Sequence, residues 1–401
     1  MRYDTPMTDV PVTDATPDAR GPLAGVVVLD CTRVLAGPFA TMVLHDLGAR
    51  VIKVERPAVG DDARGFGPFV GGRSAYFTSL NCGKESIALD LNAAADRAVF
   101  ERLLARADVL VENFRPGTLD RLGFGWEALH ARHPRLVYAA VSGFGRTGPY
   151  SARPAYDMVV QGMGGVMSIT GAEGGAATRV GASIGDITAG LFLANGVSAA
   201  LYHRAVTGEG MLVDVGMLDC QVAILENAIA RYTAMGEVPG PIGSRHPSIT
   251  PFAALRTADG EVVVAAGNDK LFTALVEVLG RPALATDARF ADNAARCANV
   301  HALHEALEEV LGTRTTAAWL EVLEAAGIPC GPVNDVAAVV HDPHVAARHM
   351  VVPIADPAVG PLRAAGNPVK CGGFPELTVR PPAPELDADR DRLLAEFDLP
   401  A

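Results

Sequence analysis

Two acids in the middle of the chain stand where covalent chemistry is possible. Asp186 lies alone among small and apolar residues in "GASIGDITAG" (181–190), directly before a long apolar run. Asp157 sits in "AYDMVV" (155–160) behind Tyr156. A carboxylate with an ordinary pKa of about 3.9 is ionised at neutral pH and can attack an activated carbonyl. The plainer reading of each acid is a helix N-cap, a position that Asp favours. With Asp186 as a cap, its helix starts at Ile187, and the nearby backbone N–H groups could stabilise an oxyanion.

Other chemistry is poorly supported. "HALHEAL" (301–307) contains His301, His304 and Glu305 but matches neither zinc spacing, HExxH or HxxEH, so no metal is expected. The six cysteines are scattered without a CxxC and read as reduced and structural.

The elements that must position these acids alternate. "GVVVLD" (25–30), "RVIKVE" (50–55), "SIALDL" (86–91), "DVLVENF" (108–114) and "RLVYAAVSGFG" (135–145) read as short buried strands. Helical stretches lie between them, one of them with Asn92 as the expected N-cap. Strands alternating with helices predict βαβ units and a parallel, doubly wound sheet. A helix is expected after Asp157, another from Ile187 to about Val206, and then the strand "MLVDVGM" (211–217).

The stretch "GEVPGPIGSRHPSITP" (236–251) is rich in Gly and Pro and reads as a domain boundary. Beyond it come a hairpin turning at "ADG" and three helices, a smaller α+β unit. The expected division is a tail over 1–21, a large domain over 22–225, a small domain over 240–335, and a segment over 345–401 that returns to the large domain.

The chain has 401 residues, 49% of them hydrophobic and 20% charged, which is enough to bury a large core. A net charge of −12 argues against nucleic-acid binding, so an anionic ligand would need local arginines. No run approaches the roughly 20 uninterrupted apolar residues of a membrane helix. The first 21 residues lack the apolar segment of a signal peptide, so a cytoplasmic protein is expected.

A nicotinamide-dependent dehydrogenase fits the first strands, with Glu55 ending the second. The turn "DCTRVLAGPF" (30–39), however, has one glycine where a dinucleotide site needs several. "QGMGGVMSITG" (161–171) follows no strand and places Met167 where a third glycine would stand.

Several stretches, taken in order, resemble the class III CoA-transferases, the family of formyl-CoA transferase and carnitine CoA-transferase. They are "PLAGVVVLDCTRVLAGPFATMVLHDLGARVIKVERP" (22–57), "NCGKESIALDL" (81–91), "VENFRPGTLDRLGFGW" (111–126), "SGFGRTGPYSARPAYD" (142–157) and "GASIGDITAG". "RHPSITPFAALRTADG" (245–260) and "GIPCGPVND" (327–335) also fit. "TRVLAGPFAT", "GSRHPSITPF" and "AAGN" look closest to the succinate–hydroxymethylglutarate CoA-transferase branch. The resemblance implies a Rossmann-like large domain built from both chain ends, a small domain, and a homodimer of interlocked chains. It implies no permanently bound cofactor, coenzyme A as a substrate, and succinyl-CoA with a short dicarboxylic acid as the substrate pair.

By the same resemblance, Asp186 matches the nucleophilic aspartate and Asp157 an acid near the reacting acyl group. Arg33, Val34, Ala36, Arg56, Leu89, Asn113, Phe114 and Arg121 match CoA-binding positions. Tyr156 stands where the related racemases have a proton-moving His, which argues against racemisation. Leu35 replaces a Gln of formyl-CoA transferase, and "GPIGSRHPS" lacks its tetraglycine run, both of which argue against formate–oxalate exchange. Arg245 and His246 would form the corresponding lid, with Arg245 meeting the distal carboxylate of a dicarboxylic acid. A non-enzymatic acyl-CoA-binding module is the remaining alternative.

Overall fold

The computed structural model describes residues 21–397. The tail expected over 1–21 lies outside them apart from Gly21. The chain divides into two compact units: one holds residues up to Val166, Val180–Ile229 and Pro343 onward, the other Met167–Arg179 and Ala230–Asp342. The stretch from Met167 to Arg179 thus belongs to the second unit, although the sequence reading left it with the large domain.

Six strands form the sheet of the first unit: β1 (Val27–Asp30), β2 (Arg50–Glu55), β3 (Glu85–Ala88), β4 (Val109–Glu112), β5 (Val137–Ser142) and β6 (Leu212–Gly216). All neighbours are parallel, in the order β3-β2-β1-β4-β5-β6. The strands read as continuous apolar runs because both faces are covered. Val28, Val51, Val109 and Val137 point into one core, whereas Leu29, Ile52, Leu110 and Tyr138 point into the other. This alternation is the period-two geometry of a strand.

Helices α1 (Ala36–Asp46), α2 (Ala94–Leu104), α3 (Asp157–Met163) and α4 (Ile184–Thr207) position the candidate site or pack on its sheet. Ala93, not Asn92, precedes α2 as its cap, and the Asn92 amide donates to Asp90 instead. By length and composition α4 could span a membrane, but half of its most apolar window is buried inside the unit. Its Leu193, Ala194, Val197, Ala200 and Leu201 pack into the same core as Ala36, Ala40 and Leu44 of α1. The approach of α4 to α1 requires Gly190, where a Cβ would come within 2.7 Å of the Ala36 carbonyl oxygen.

The second unit has an antiparallel sheet of β7 (Phe252–Arg256), β8 (Glu261–Ala265) and β9 (Cys330–Pro332), with β8 in the middle. Helices α5 (Asp269–Val278), α6 (Val300–Leu311) and α7 (Thr316–Ala325) bury Phe272, Leu303, Leu307 and Trp319 against it. Near the C-terminus, β10 (Val351–Pro353) pairs with β11 (Arg363–Ala365). The helix α8 (Arg390–Glu396) then places Leu393 in the core of the first unit.

Candidate active site

The order of the parallel sheet reverses between β1 and β4, and ligands of open α/β sheets bind at such switch points, beyond the carboxyl ends of the strands. A cleft opens there. The loop after β1 supplies Arg33, Val34 and Leu35, the start of α1 supplies Ala36, and the loop after β4 supplies Asn113, Phe114 and Arg115. Arg153 and Tyr156 come from the chain after β5, and Asp186 completes the wall.

Asn113 locks the two loops together. Its Oδ1 accepts the Arg33 N–H at 2.9 Å, and its Nδ2 donates to the Arg33 carbonyl at 2.7 Å. One side chain thereby satisfies both backbone groups of one residue. The Arg33 side chain donates to one oxygen of Asp62 at 2.9 Å, and Arg56 donates to the other at 2.6 Å. Asp62 therefore orients two of the three arginines that the resemblance matched to CoA-binding positions, Arg33 and Arg56.

Asp186 is the third residue of α4, not its cap. The helix begins at Ile184 with Ser183 in the cap position, three residues earlier than expected. An acid in the first turn is favoured by the helix dipole. The turn is braced from other elements. The buried Asp157 accepts the Gly185 N–H at 2.9 Å and two contacts from the Gln161 amide at 2.9 and 3.0 Å. Gln221 donates to the Thr188 hydroxyl at 3.0 Å. A Cβ on Gly185 would lie 2.7 Å from Val160 Cγ2 and 3.0 Å from Asp157 Oδ1, so only glycine fits beside Asp186. Asp157 is the first residue of α3, and its carboxylate supports the turn that carries Asp186. It faces Gly185 and is not part of the cleft wall.

The cleft gathers Arg33, Val34, Ala36, Asn113, Phe114, Tyr156 and Asp186 from the sequence-selected residues. Others fall elsewhere. The Leu89 side chain is buried in the core beside Ile87 and Val99 and does not line the cleft. Arg121 is exposed on the short helix Thr118–Arg121, where it donates to Thr118 at 3.3 Å, and does not line the cleft. In the second unit the Arg245 guanidinium pairs with Glu173. The ring Nδ1 of His246 accepts the Ser248 N–H at 3.1 Å, which gives the ring a turn-forming role within that unit.

Sequence reasoning passed over Arg115 and Arg153. Neither has an ion-pair partner among the described residues, although Arg153 lies over the rings of Tyr150 and Phe144, at 4.6 and 5.5 Å. Both stand in stretches already quoted, "NFRPG" and "SARPAYD", and the signal was a cation next to a candidate residue. Glu112 was missed as well. Burial pushes its carboxyl up to about 7, against the opposing pull of the Phe114 N–H and Arg146. Glu55, which a dehydrogenase would offer to a ribose, is consumed by Arg64, whose Nε and Nη2 donate to its two oxygens at 2.8 and 2.6 Å.

Fold and site together define an α/β enzyme whose cleft combines a carboxylate with several guanidinium groups. The chain belongs to CoA-transferase family III, whose family model matches residues 23–390. It is similar to the acetyl-CoA:oxalate CoA-transferase of Acetobacter aceti, with 47% identity over 97% of this chain and 99% of that one. It is also similar to the succinyl-CoA:glutarate CoA-transferase of Homo sapiens, with 39% identity over 94% of this chain and 86% of that one. The crystal structure of a CAIB/BAIF family protein from Brucella suis, 39% identical, matches with a TM-score of 0.83 over 94% of this chain and 100% of its own. The protein is therefore a class III CoA-transferase, an enzyme that uses CoA thioesters as substrates.

Proposed function

We propose that this enzyme moves CoA from a short acyl-CoA, succinyl-CoA or a close analogue, to a free short dicarboxylic acid, with Asp186 as the nucleophile. The observation that carries the reading is the place of Asp186, in the first turn of α4 and on the wall of a cleft at the switch point. Its carboxylate attacks the thioester carbonyl, the C–S bond breaks, and CoA thiolate leaves a mixed anhydride. The thiolate attacks the aspartyl carbonyl, releases the donor acid and forms an aspartyl-CoA thioester. The acceptor carboxylate then attacks that carbonyl and frees the thiolate. The thiolate returns to the acceptor's acyl carbon, which regenerates Asp186. No proton or electron is left over, so the scheme needs only positioning and charge stabilisation.

Arg115 and Arg153 fit substrates that carry a second carboxylate, since guanidinium groups bind carboxylates in a fixed geometry. The two named relatives act on oxalate and glutarate, which supports a dicarboxylate acceptor and keeps oxalate beside glutarate as a candidate. The Tyr156 and Glu55 environments favour neither racemase nor dehydrogenase chemistry. The test is an exchange assay with succinyl-CoA and acetyl-CoA against oxalate, glutarate, mesaconate, citramalate, itaconate and monocarboxylates, read by mass spectrometry. A new dicarboxylyl-CoA is expected. New thioesters from monocarboxylates alone would contradict the substrate class.

The homodimer is part of the same proposal. Leu191, Phe192, Tyr202 and Val206 of α4 are exposed, with Leu191, Tyr202 and Val206 on one stripe, as are Met158, Val159 and Met163 of α3. Apolar side chains in such number on one unit mark a surface that a partner covers. The interlocked arrangement that the family resemblance implies would cover it with a second copy. Light scattering at micromolar concentration should give a dimer mass, and a folded monomer would contradict this.

A further inference from the structure

Directly behind the cleft, the first unit buries two lysines and two aspartates, and the transfer chemistry uses none of them. Lys53, in the middle of β2, and Asp30 are wholly buried, and Asp61 and Lys84 are nearly so. Replacing a buried ion pair with apolar side chains of the same volume is often neutral or stabilising, so stability alone does not explain the cluster. The contacts of three of them point to another role, because Asp30 and Lys53 hold the backbone of Thr32 and Asp61 that of Val34, on either side of Arg33. Asp30 Oδ1 accepts the Thr32 N–H at 2.9 Å, and Lys53 Nζ donates to the Thr32 carbonyl at 2.7 Å. Asn113 holds both backbone groups of Arg33. Asp61 Oδ1 accepts the Val34 N–H at 3.0 Å, and its Oδ2 pairs with Lys53 at 2.9 Å.

Val34 is the residue that needs holding. Its φ is +67°, in the left-handed region that β-branched residues rarely adopt. Such a conformation persists only where the surroundings over-determine it, and it clusters at functional sites. Asp61 is itself anchored: its N–H donates to Glu55 at 2.9 Å, and its Oδ1 also takes the Ala63 N–H at 2.9 Å. Burial alone would raise its pKa, yet Lys53 and the N–H groups of Ala63 and Val34 hold it below the usual carboxylate value. The next residue, Asp62, grips the Arg33 side chain. Two consecutive acids therefore hold one dipeptide of the cleft wall, one by the backbone and the other by the side chain.

We propose that Asp61, charge-balanced by Lys53, is a positioning residue that pins Val34 in its left-handed turn and so presents Arg33, Leu35 and the start of α1 to the acyl-CoA. This rests on the reading that the cleft binds acyl-CoA. Without the pin, residue 34 relaxes toward ordinary backbone angles and the wall loses its shape, whereas Asp186, on α4, keeps its place.

The test uses the full chain and four variants. Asp61→Ala should raise the KM for acyl-CoA about tenfold or more while the KM for the free acid stays within about twofold. Asp61→Asn keeps an acceptor for the Val34 and Ala63 N–H groups, so it should lower Tm but leave the acyl-CoA KM within about threefold. Val34→Gly removes the side chain that resists positive φ. In that background Asp61→Ala should change the acyl-CoA KM by no more than about twofold. An equal fold-change in both backgrounds, or an unchanged acyl-CoA KM in folded Asp61→Ala, would overturn the proposal. If Asp61→Ala does not fold, Asp61→Asn decides, since a folded Asp61→Asn with a tenfold-raised KM also overturns it. A crystal structure of Asp61→Ala separates this failure from failure of the functional reading. Residue 34 still near φ +67° would sink the pin alone, whereas wild-type enzyme that exchanges no CoA would sink the reading alone.

Discussion

Asp186→Asn is expected to abolish CoA exchange, with a loss of at least about 10⁴-fold, the scale on which enzymes respond to losing a covalent nucleophile. The substitution keeps the shape of the side chain and its place in the first turn of α4, but an amide cannot form the anhydride. Its effect on stability should be small. An acid in the first turn contributes about 0.3–1 kcal/mol through the helix dipole. The turn itself is held by Asp157 and Gln221, which the substitution leaves in place. Exchange rate and Tm measured on one preparation separate the two effects. Normal turnover, with mass confirming no deamidation, would show that Asp186 is not the nucleophile.

Glu112→Gln should act in the opposite direction, on stability and with a pH dependence. Burial raises the Glu112 carboxyl from 4.5 to about 7 in the folded chain. The unfolded chain therefore gives up this proton first as pH rises. The stability the protonated form contributes is fully present below about pH 4.5 and is lost as pH rises through about 7. A shift of this size corresponds to about 3 kcal/mol in the alkaline limit. Gln stays neutral and can still accept the Phe114 N–H, which Glu112 accepts at 2.7 Å. The variant should gain on the wild type by about 2 kcal/mol between about pH 5.5 and 8 and then level off. Denaturant unfolding across that range measures it. A difference that is flat with pH, or that shrinks as pH rises, would contradict the assignment.

The sheet was largely legible because parallel strands buried on both faces leave short apolar runs. "RVIKVE" matches β2 residue for residue. The start of α4 was not. The plainer reading of Asp186 as a cap put the helix start at Ile187, whereas the helix begins at Ile184 and Asp157, 28 residues before Gly185, accepts the Gly185 N–H. No local pattern reports an acceptor brought in from another helix. Leu89 follows Ile87 at strand spacing, which places both side chains in the core, a burial that matching by sequence does not report. Arg245 finds Glu173 72 residues away, within the second unit. Lys53 stands in the sequence between Ile52 and Val54 of β2. Its role was not legible there, because Asp61 and the Thr32 carbonyl meet it only after folding.

The central claim is that CoA is carried covalently on Asp186. The most direct measurement is to incubate the enzyme with acyl-CoA alone, quench it in acid, and weigh the peptide containing "IGDITAG" by mass spectrometry. The account predicts that this peptide gains the mass of CoA less one water, located on Asp186, and that Asp186→Asn gains nothing. An enzyme that exchanges CoA while this peptide stays unmodified, or while CoA is found on another residue, would contradict it.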